Sequence, residues 1–467
     1  MAANTVEQDV EEKITFDKKF DKLNRGEFAE RLTKAITTFS PFYEEAYVLS
    51  LNATFGSGKT TFLEMWKNDL IDNKGFTVVH INAWETDFDD EPIIPIASAL
   101  LQHIEKHKQK NDSFAEKSLQ ALVGIAELGN YVLQKTVDID VKELDETELE
   151  KQGKEISKAF GVKQKIYSDL RKFLPQYAQS LKNGLLIIMI DELDRVRPDY
   201  AVKFLEAVKH IFSAKGVCFV LAIDRQQLEV SVKQLYGNEI DFDNYFLRFI
   251  TREVDLPEAC TENLLPFIQQ VAEDFFDKKT ESGGISFIFA DSTQRDDVLK
   301  YASAICTGLK LRPRQIEAVF RQYSQFIAID DNQQKYNNSW LMAPFFLIAL
   351  KVAGRIDIYE KIEKGQYDPL QCRDFIRNLY FPAPLDSLAH LDNTLYLLWH
   401  TLPFLLSRNN TSYIEFAQSA IQSLDSNIPK GDITATLQRE ITNFNDQHQS
   451  KFQDFQKKLA DWSGFLG

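Results

Sequence analysis

The chain has 467 residues, of which 44% are hydrophobic, 26% charged and 12% aromatic, enough to bury a sizeable core and to exclude a disordered protein. At about 100–200 residues per domain, this length predicts about two to four domains. With 69 Asp and Glu against 54 Lys and Arg, the net charge of −15 excludes a generic DNA coat or a binder of anionic membranes and leaves room only for a local basic groove.

The cysteines, Cys218, Cys260, Cys306 and Cys372, form no C-x-x-C pair and read as reduced core residues of a cytosolic protein. The first residues, MAANTVEQDVEEK, place acids where a signal peptide needs a basic and then an apolar stretch. The most apolar windows, Leu341 to Ala353 and Leu395 to Leu406, are too short for a membrane span. These features predict a cytoplasmic, soluble protein.

In chain order, Phe28, Leu32 and Ile36 mark an amphipathic helix that ends before Pro41. Four short apolar runs then read as buried strands: Ala46 to Asn52, Phe76 to Ala83, Leu185 to Asp191 and Val217 to Asp224. A fifth, Phe249 to Leu256, stops at Pro257. Helical segments separate most of them, which predicts an α/β fold with a parallel sheet covered on both faces. The long gap between the second and third runs exceeds an ordinary crossover and reads as a helical insertion over about 110–182. Its acidic stretch, Asp138 to Glu150, reads as a solvated face. Beyond Pro257 the periodicity turns helical, with Leu264, Ile268, Val271 and Phe275 on one face and Ile316, Val319, Phe320 and Tyr323 on another. The expected organisation is an N-terminal helical segment (1–40), an α/β core (41–258), a helical lid (259–330) and a C-terminal helical domain (331–467) for packing or partner binding.

The strongest signal is Ala53-Thr-Phe-Gly-Ser-Gly-Lys-Thr-Thr61, between the first strand and a helical pattern through Phe62, Leu63, Trp66 and Leu70. This is the strand–loop–helix setting of the phosphate-binding pattern G-x-x-x-x-G-K-[ST], with Ala53 in its first position. Gly56 and Gly58 let the backbone curl so that N–H groups of Phe55 to Thr61, Ser57 included, surround a phosphate at a helix N-terminus. Lys59 would bridge the β- and γ-phosphates, and Thr60 would ligate Mg²⁺. Ala53 is small, and the loop survives if that residue keeps an ordinary backbone angle. A second piece supports the first: Leu185 to Ile190 is an apolar strand tipped by Asp191 and Glu192. Ligands bind beyond the carboxyl ends of parallel strands, so Asp191 is expected beside Lys59 and Thr60, holding the ion, with Glu192 as general base. Asp224 follows the next strand in the same manner and suits a γ-phosphate sensor or water-positioning residue, or equally the N-cap of a helix over Arg225 to Tyr236, and one residue can serve both purposes.

These residues resemble the KAP family of P-loop NTPases, within the STAND and AAA+ assemblage. The resemblance rests on LNRGEFAERL, ATFGSGKTTFL, INAWETD (Ile81 to Asp87), IDELDRVRPDYAVKFLEAVKHIF, FVLAIDRQQL, NYFLRFITREVDLP and LRPRQIEAVF, over about residues 20–325. The chain departs from the family pattern at Ala53, Phe55 and Glu192, where Gly, Trp and Asp are usual. The resemblance implies an intracellular ATPase acting as a switch or motor, without the membrane spans of animal relatives. It points to a soluble bacterial branch, some members of which are associated with exclusion of phage or plasmids. By the same likeness, Arg314 would be a lid arginine over the γ-phosphate; a solvated arginine at a helix start is the alternative. Arg248, with Arg252 as runner-up, would be a finger supplied to a neighbouring subunit; an ordinary surface arginine is the alternative. Trp84, after the second strand, is read as a packing residue that closes the sheet, with stacking on a partner as the alternative.

The function so predicted is a Mg²⁺-dependent, ATP-hydrolysing homo-oligomer in anti-phage defence, with any toxic activity residing in an effector protein partner. The alternatives are a nucleotide-dependent regulatory binding module with little hydrolysis and a DNA-translocating ATPase. An intact Glu192 favours hydrolysis, and the net charge weighs against nucleic acid as a partner. No N-K-x-D box for guanine occurs, which favours ATP.

Overall fold

The computed structural model describes residues 13–88, 91–107, 168, 170–210, 212–258, 261–276, 292–329, 338–364 and 366. The acidic stretch Asp138 to Glu150, most of the proposed insertion and nearly all of the C-terminal domain after 366 lie outside the described residues. The chain divides into two compact units, Met1–Glu258 and Ala259–Gly467.

In the first unit, helix α1 (Gly26–Phe39) precedes strand β1 (Tyr47–Asn52), helix α2 (Lys59–Asp72) and strand β2 (Thr77–Asn82). Helix α3 (Ile93–His107), strand β3 (Leu186–Asp191), strand β4 (Val217–Ile223) and strand β5 (Arg252–Asp255) follow. Intervening helices cover Pro198–His210, Arg225–Tyr236 and Phe242–Phe246. The five strands form one sheet in the order β2-β3-β4-β1-β5, and every described pairing is parallel. The α/β expectation therefore holds, with strand limits within a few residues of those read from the sequence.

Successive side chains of a strand point to opposite faces, and in β1, β3 and β4 both faces are buried, which explains their nearly unbroken apolar runs, whereas the edge strand β5 is mostly exposed. Val48, Ile81, Ile188, Ile190, Phe219 and Leu221 pack toward α3 and the Pro198–His210 helix. Leu49, Leu51, Ile187, Met189, Val220 and Ala222 pack toward α1 and α2 through Leu32, Ile36, Phe62 and Trp66. Trp66 is fully buried yet satisfied, because its indole N–H donates to Thr33 Oγ1 at 2.9 Å. Cys218 and Cys306 are buried free thiols, and burial pushes both well above the usual thiol range.

The second unit is helical where described: Thr261–Phe276, Ser292–Gly308, Pro313–Ile329, Asn338–Val352 and Ile356–Glu363. Leu264, Ile268 and Val271 are buried, as are Ile316, Val319, Phe320 and Tyr323. The apolar window containing Pro344 is a core helix, with Met342 and residues 345–350 buried. Among the described residues no helix is long and apolar enough to cross a membrane.

Candidate nucleotide site

β1 sits between β4 and β5, so the chain leaving it emerges over the carboxyl edge of the sheet rather than at its flank. Ala53 N–H continues the ladder by donating to Ile223 O at 2.9 Å. Gly56 and Gly58 then take φ values of 80° and 87°, the left-handed region in which a side chain would be strained, and the chain turns into α2 at Lys59. Ala53 is not among the described residues with positive φ, so its methyl group is accommodated and the loop does not need glycine there.

Lys59 is buried, and its ammonium donates to Ala53 O at 2.9 Å and to Asp194 Oδ2 at 3.3 Å. Thr60 and Thr61, in the first turn of α2, are exposed. Asp191, the last residue of β3, is buried, and its Oδ1 accepts from Glu192 N–H at 2.9 Å. The carboxylate that meets Lys59 is thus Asp194, from the turn after β3. It reaches across β4, which separates β3 from β1. Its second oxygen, Oδ1, is buried with no hydrogen-bond partner among the described residues.

Glu192 stands at φ 62°, a left-handed conformation that costs about 1–3 kcal/mol in a non-glycine residue. Its Oε1 pairs with Arg195 Nη1 at 2.8 Å, and the Arg195 guanidinium lies over the Phe55 ring, 4.6 Å from its centroid. Phe55, at the tip of the phosphate loop, is thereby connected to the acidic turn after β3. Asp224 is buried and joins the loop to β4: Oδ2 accepts from Phe55 N–H at 3.1 Å, and Oδ1 accepts a long 3.5 Å bond from Gln227 N–H. It is the N-cap of the Arg225–Tyr236 helix and also a tether of the loop. Asn52, the last residue of β1, accepts from Arg225 N–H and donates to Asp255, linking β1 to both neighbours at the same edge.

Within the first unit, Arg248 and Arg252 lie elsewhere. Arg248 is exposed just before β5, and Thr251 nearby donates to Val48 O, near the start of β1, whereas the phosphate loop follows its end. Arg252 opens β5 and lies over the Phe39 ring, 6.0 Å from its centroid. Arg314 is exposed in the first turn of Pro313–Ile329 in the second unit. Trp84 differs from expectation: it is 57% exposed and does not close the sheet. Its turn is instead held by Asn82, which accepts from Trp84 N–H and donates to Glu85, and by a Thr86–Tyr200 hydroxyl contact of 3.0 Å.

With the loop, the buried lysine and the acidic turn in one place, the family can be settled. The model of the KAP family P-loop domain matches residues 25–356. The chain belongs to this family. Among curated proteins no sequence matches. Among solved structures, the ORC2 protein of Aeropyrum pernix in ADPNP–ADP complexes is 11% identical, over 93% of this chain and 86% of its own, with a TM-score of 0.33. AMPPCP-bound DnaA from Aquifex aeolicus is 12% identical, over 95% of this chain and 98% of its own, with a TM-score of 0.26. At such values the likeness adds no argument about function to the family match.

Asp194, Arg195 and Arg25 are the members of the site to which sequence reasoning assigned no role. The first two stand within the acidic turn already singled out, three and four residues after Asp191. The third lies in LNRGEFAERL, noticed for its likeness alone.

Proposed function

We propose that this KAP-family chain binds ATP with Mg²⁺ at the loop after β1 and hydrolyses it. The observation that carries the reading is the meeting of Lys59 with Asp194 at 3.3 Å beneath a loop curled by two left-handed glycines. A cation held by a carboxylate and a backbone carbonyl has the right chemistry to exchange those oxygens for phosphate oxygens. The donors nearby are hard oxygens: the Thr60 hydroxyl, the Asp191 carboxylate and the unpartnered Asp194 Oδ1. That set suits Mg²⁺, which takes few protein ligands and keeps phosphate and water for the rest. The ion, when bound, would neutralise charge on the phosphates. The loop N–H groups of Gly56 and of Gly58 to Thr61 would surround them; those of Phe55 and Ser57, expected there from the sequence, are donated instead to Asp224 Oδ2 and Thr54 O.

Glu192 would accept the proton of the attacking water as the bond from the γ-phosphorus to its bridging oxygen breaks. One of its two oxygens, Oε1, is taken up by Arg195 in this structure. The Glu192–Arg195 pair is also the observation that favours the second reading, a regulatory module that binds ATP and hydrolyses it slowly. Arg314 is proposed as a lid residue, and Arg248, exposed and remote from its own loop, as a residue acting on a neighbouring subunit. The cellular setting we propose is defence against phage, with the nucleotide cycle governing self-assembly and an effector protein carrying any toxic step. Membership of the KAP family, some bacterial members of which are associated with exclusion of phage, is what supports that setting. A net charge of −15 gives DNA translocation less support.

Steady-state phosphate release from ATP by the purified chain, with and without DNA, tests the reading. Turnover that vanishes in Glu192→Gln is expected. Binding without any phosphate release in the wild type would leave the regulatory reading in its place.

A further inference from the structure

Arg25 caps the start of α1 with its backbone, while its side chain runs inward and is only 4% exposed. The entry into the helix is fixed by Asp21, whose two carboxylate oxygens accept from Arg25 N–H at 2.9 Å and Gly26 N–H at 2.8 Å. The guanidinium has no carboxylate at ion-pairing distance among the described residues. It is spent on two carbonyls instead: Nη1 donates to Ser57 O at 2.9 Å, and Nη2 donates to Pro257 O at 2.8 Å. Nε is buried without a hydrogen-bond partner among the described residues. Burial pulls this arginine down to about 10, with Asp21 opposing the shift, so it is charged at neutral pH. A buried charge with this little compensation costs stability, and such a cost needs a reason beyond packing.

The reason lies in what the two carbonyls belong to. Ser57 O is part of the peptide that joins Ser57 to Gly58, at the centre of the phosphate loop. In a trans peptide the C=O and the following N–H point in opposite directions. A guanidinium that holds Ser57 O on one side of the loop therefore holds the Gly58 N–H toward the other. The approach is close: a Cβ at Gly58 would sit 3.2 Å from Arg25 Nη1, a tight contact that adds to the strain its φ of 87° imposes on any side chain. The second carbonyl, Pro257 O, lies just past β5, where Leu256 N–H donates to Asn52 O at 2.8 Å and the first unit ends. One planar fork thus bridges the loop and the segment that leaves the sheet, a geometry that a lysine ammonium does not reproduce.

We propose that Arg25 is a positioning residue of the nucleotide site: it orients the Ser57–Gly58 peptide for phosphate and couples the loop to residues 256–258. This inference rests on the nucleotide-binding reading above. Because coupling is reciprocal, ATP that tightens the loop also tightens the segment after β5.

The test compares wild type, Arg25→Lys and Lys59→Ala as full chains, by calorimetric titration with Mg·ATP and by hydrogen exchange. Arg25→Lys is expected to raise the Kd about tenfold or more, which corresponds to about 1.4 kcal/mol at 25 °C. It should also abolish the slowing of exchange at the Leu256 and Glu258 amides that ATP produces in the wild type. A structural role alone would lower the melting temperature without separating these amides from the nucleotide. Unchanged affinity in a folded Arg25→Lys, with Lys59→Ala defective, overturns the inference and leaves the nucleotide site standing. If Arg25→Lys does not fold, the wild type decides: no ATP-dependent slowing at Leu256 and Glu258 overturns the coupling, and slowing there supports it. A wild type that does not bind Mg·ATP takes down both readings.

Discussion

Lys59 and Asp194 form a buried ion pair whose side chains are 10% and 4% exposed, so solvent screens it little. At 3.3 Å and an effective dielectric of about 20, their Coulomb attraction is about 5 kcal/mol. Desolvation offsets much of that gain in the intact pair. Removal of one partner is a different matter, because it strands the other charge in the interior at a cost of about 3–5 kcal/mol. Lys59→Ala should therefore destabilise the nucleotide-free protein by about that amount, since Asp194 Oδ1 already lacks a partner and Oδ2 would lose its own. Asp194→Ala should have a similar effect, and the double variant should fall short of the sum by about 2 kcal/mol. Urea denaturation followed by circular dichroism, on all four proteins without nucleotide, measures the cycle. Additive effects, or a Lys59→Ala midpoint equal to wild type, would show that the pair contributes nothing and would refute the buried-charge reasoning. The result also matters in practice, since lost activity in Lys59→Ala would otherwise be assigned wholly to lost phosphate contact.

Glu192→Gln keeps an acceptor and loses the base, so Mg·ATP affinity should be retained while turnover falls about 10²-fold or more, read by phosphate release. His80, on β2, is held below its usual 6.5 by burial, with Lys67 acting in the same direction, and its Nε2 has no partner among the described residues. Between the lowered native value and 6.5 the unfolded chain binds the proton and the native chain does not, so stability should fall as pH drops below 6.5. His80→Gln should flatten that part of a urea-midpoint profile, and an identical profile would remove His80 from the account. Mixing inactive Lys59→Ala with inactive Arg248→Ala should restore some hydrolysis if Arg248 acts on a neighbouring subunit, whereas no rescue would favour a monomeric switch.

The strands were legible because a parallel sheet buried on both faces leaves unbroken apolar runs such as Leu186–Asp191, and turns or prolines end them. The loop was legible because its chemistry is local: two glycines, Lys59 and Thr60 lie within a few residues of each other. Asp224 was legible as a helix N-cap, alone or together with a role at the phosphate, and the structure shows it capping the helix and holding Phe55 N–H. Other parts of the site depend on strand order. That Asp194 rather than Asp191 meets Lys59, 135 residues away, depends on a strand order in which β4 stands between β3 and β1. Arg25 bridges partners 32 and 232 residues distant, a relation no spacing rule contains. Trp84 went the other way, because average burial of large aromatics says nothing about a turn secured by Asn82 and Thr86.

The central claim is that the loop from Ala53 to Thr61 is a nucleotide site organised around Lys59. Calorimetric titration of Mg·ATP into the wild-type chain and into Lys59→Met, which replaces the ammonium with an apolar side chain of similar length, tests it most directly. The account predicts saturable one-site binding in the wild type and a sharp loss of affinity in Lys59→Met, with the variant still folded by circular dichroism. Equal affinity in the two folded proteins, or no heat of binding in the wild type, would contradict it.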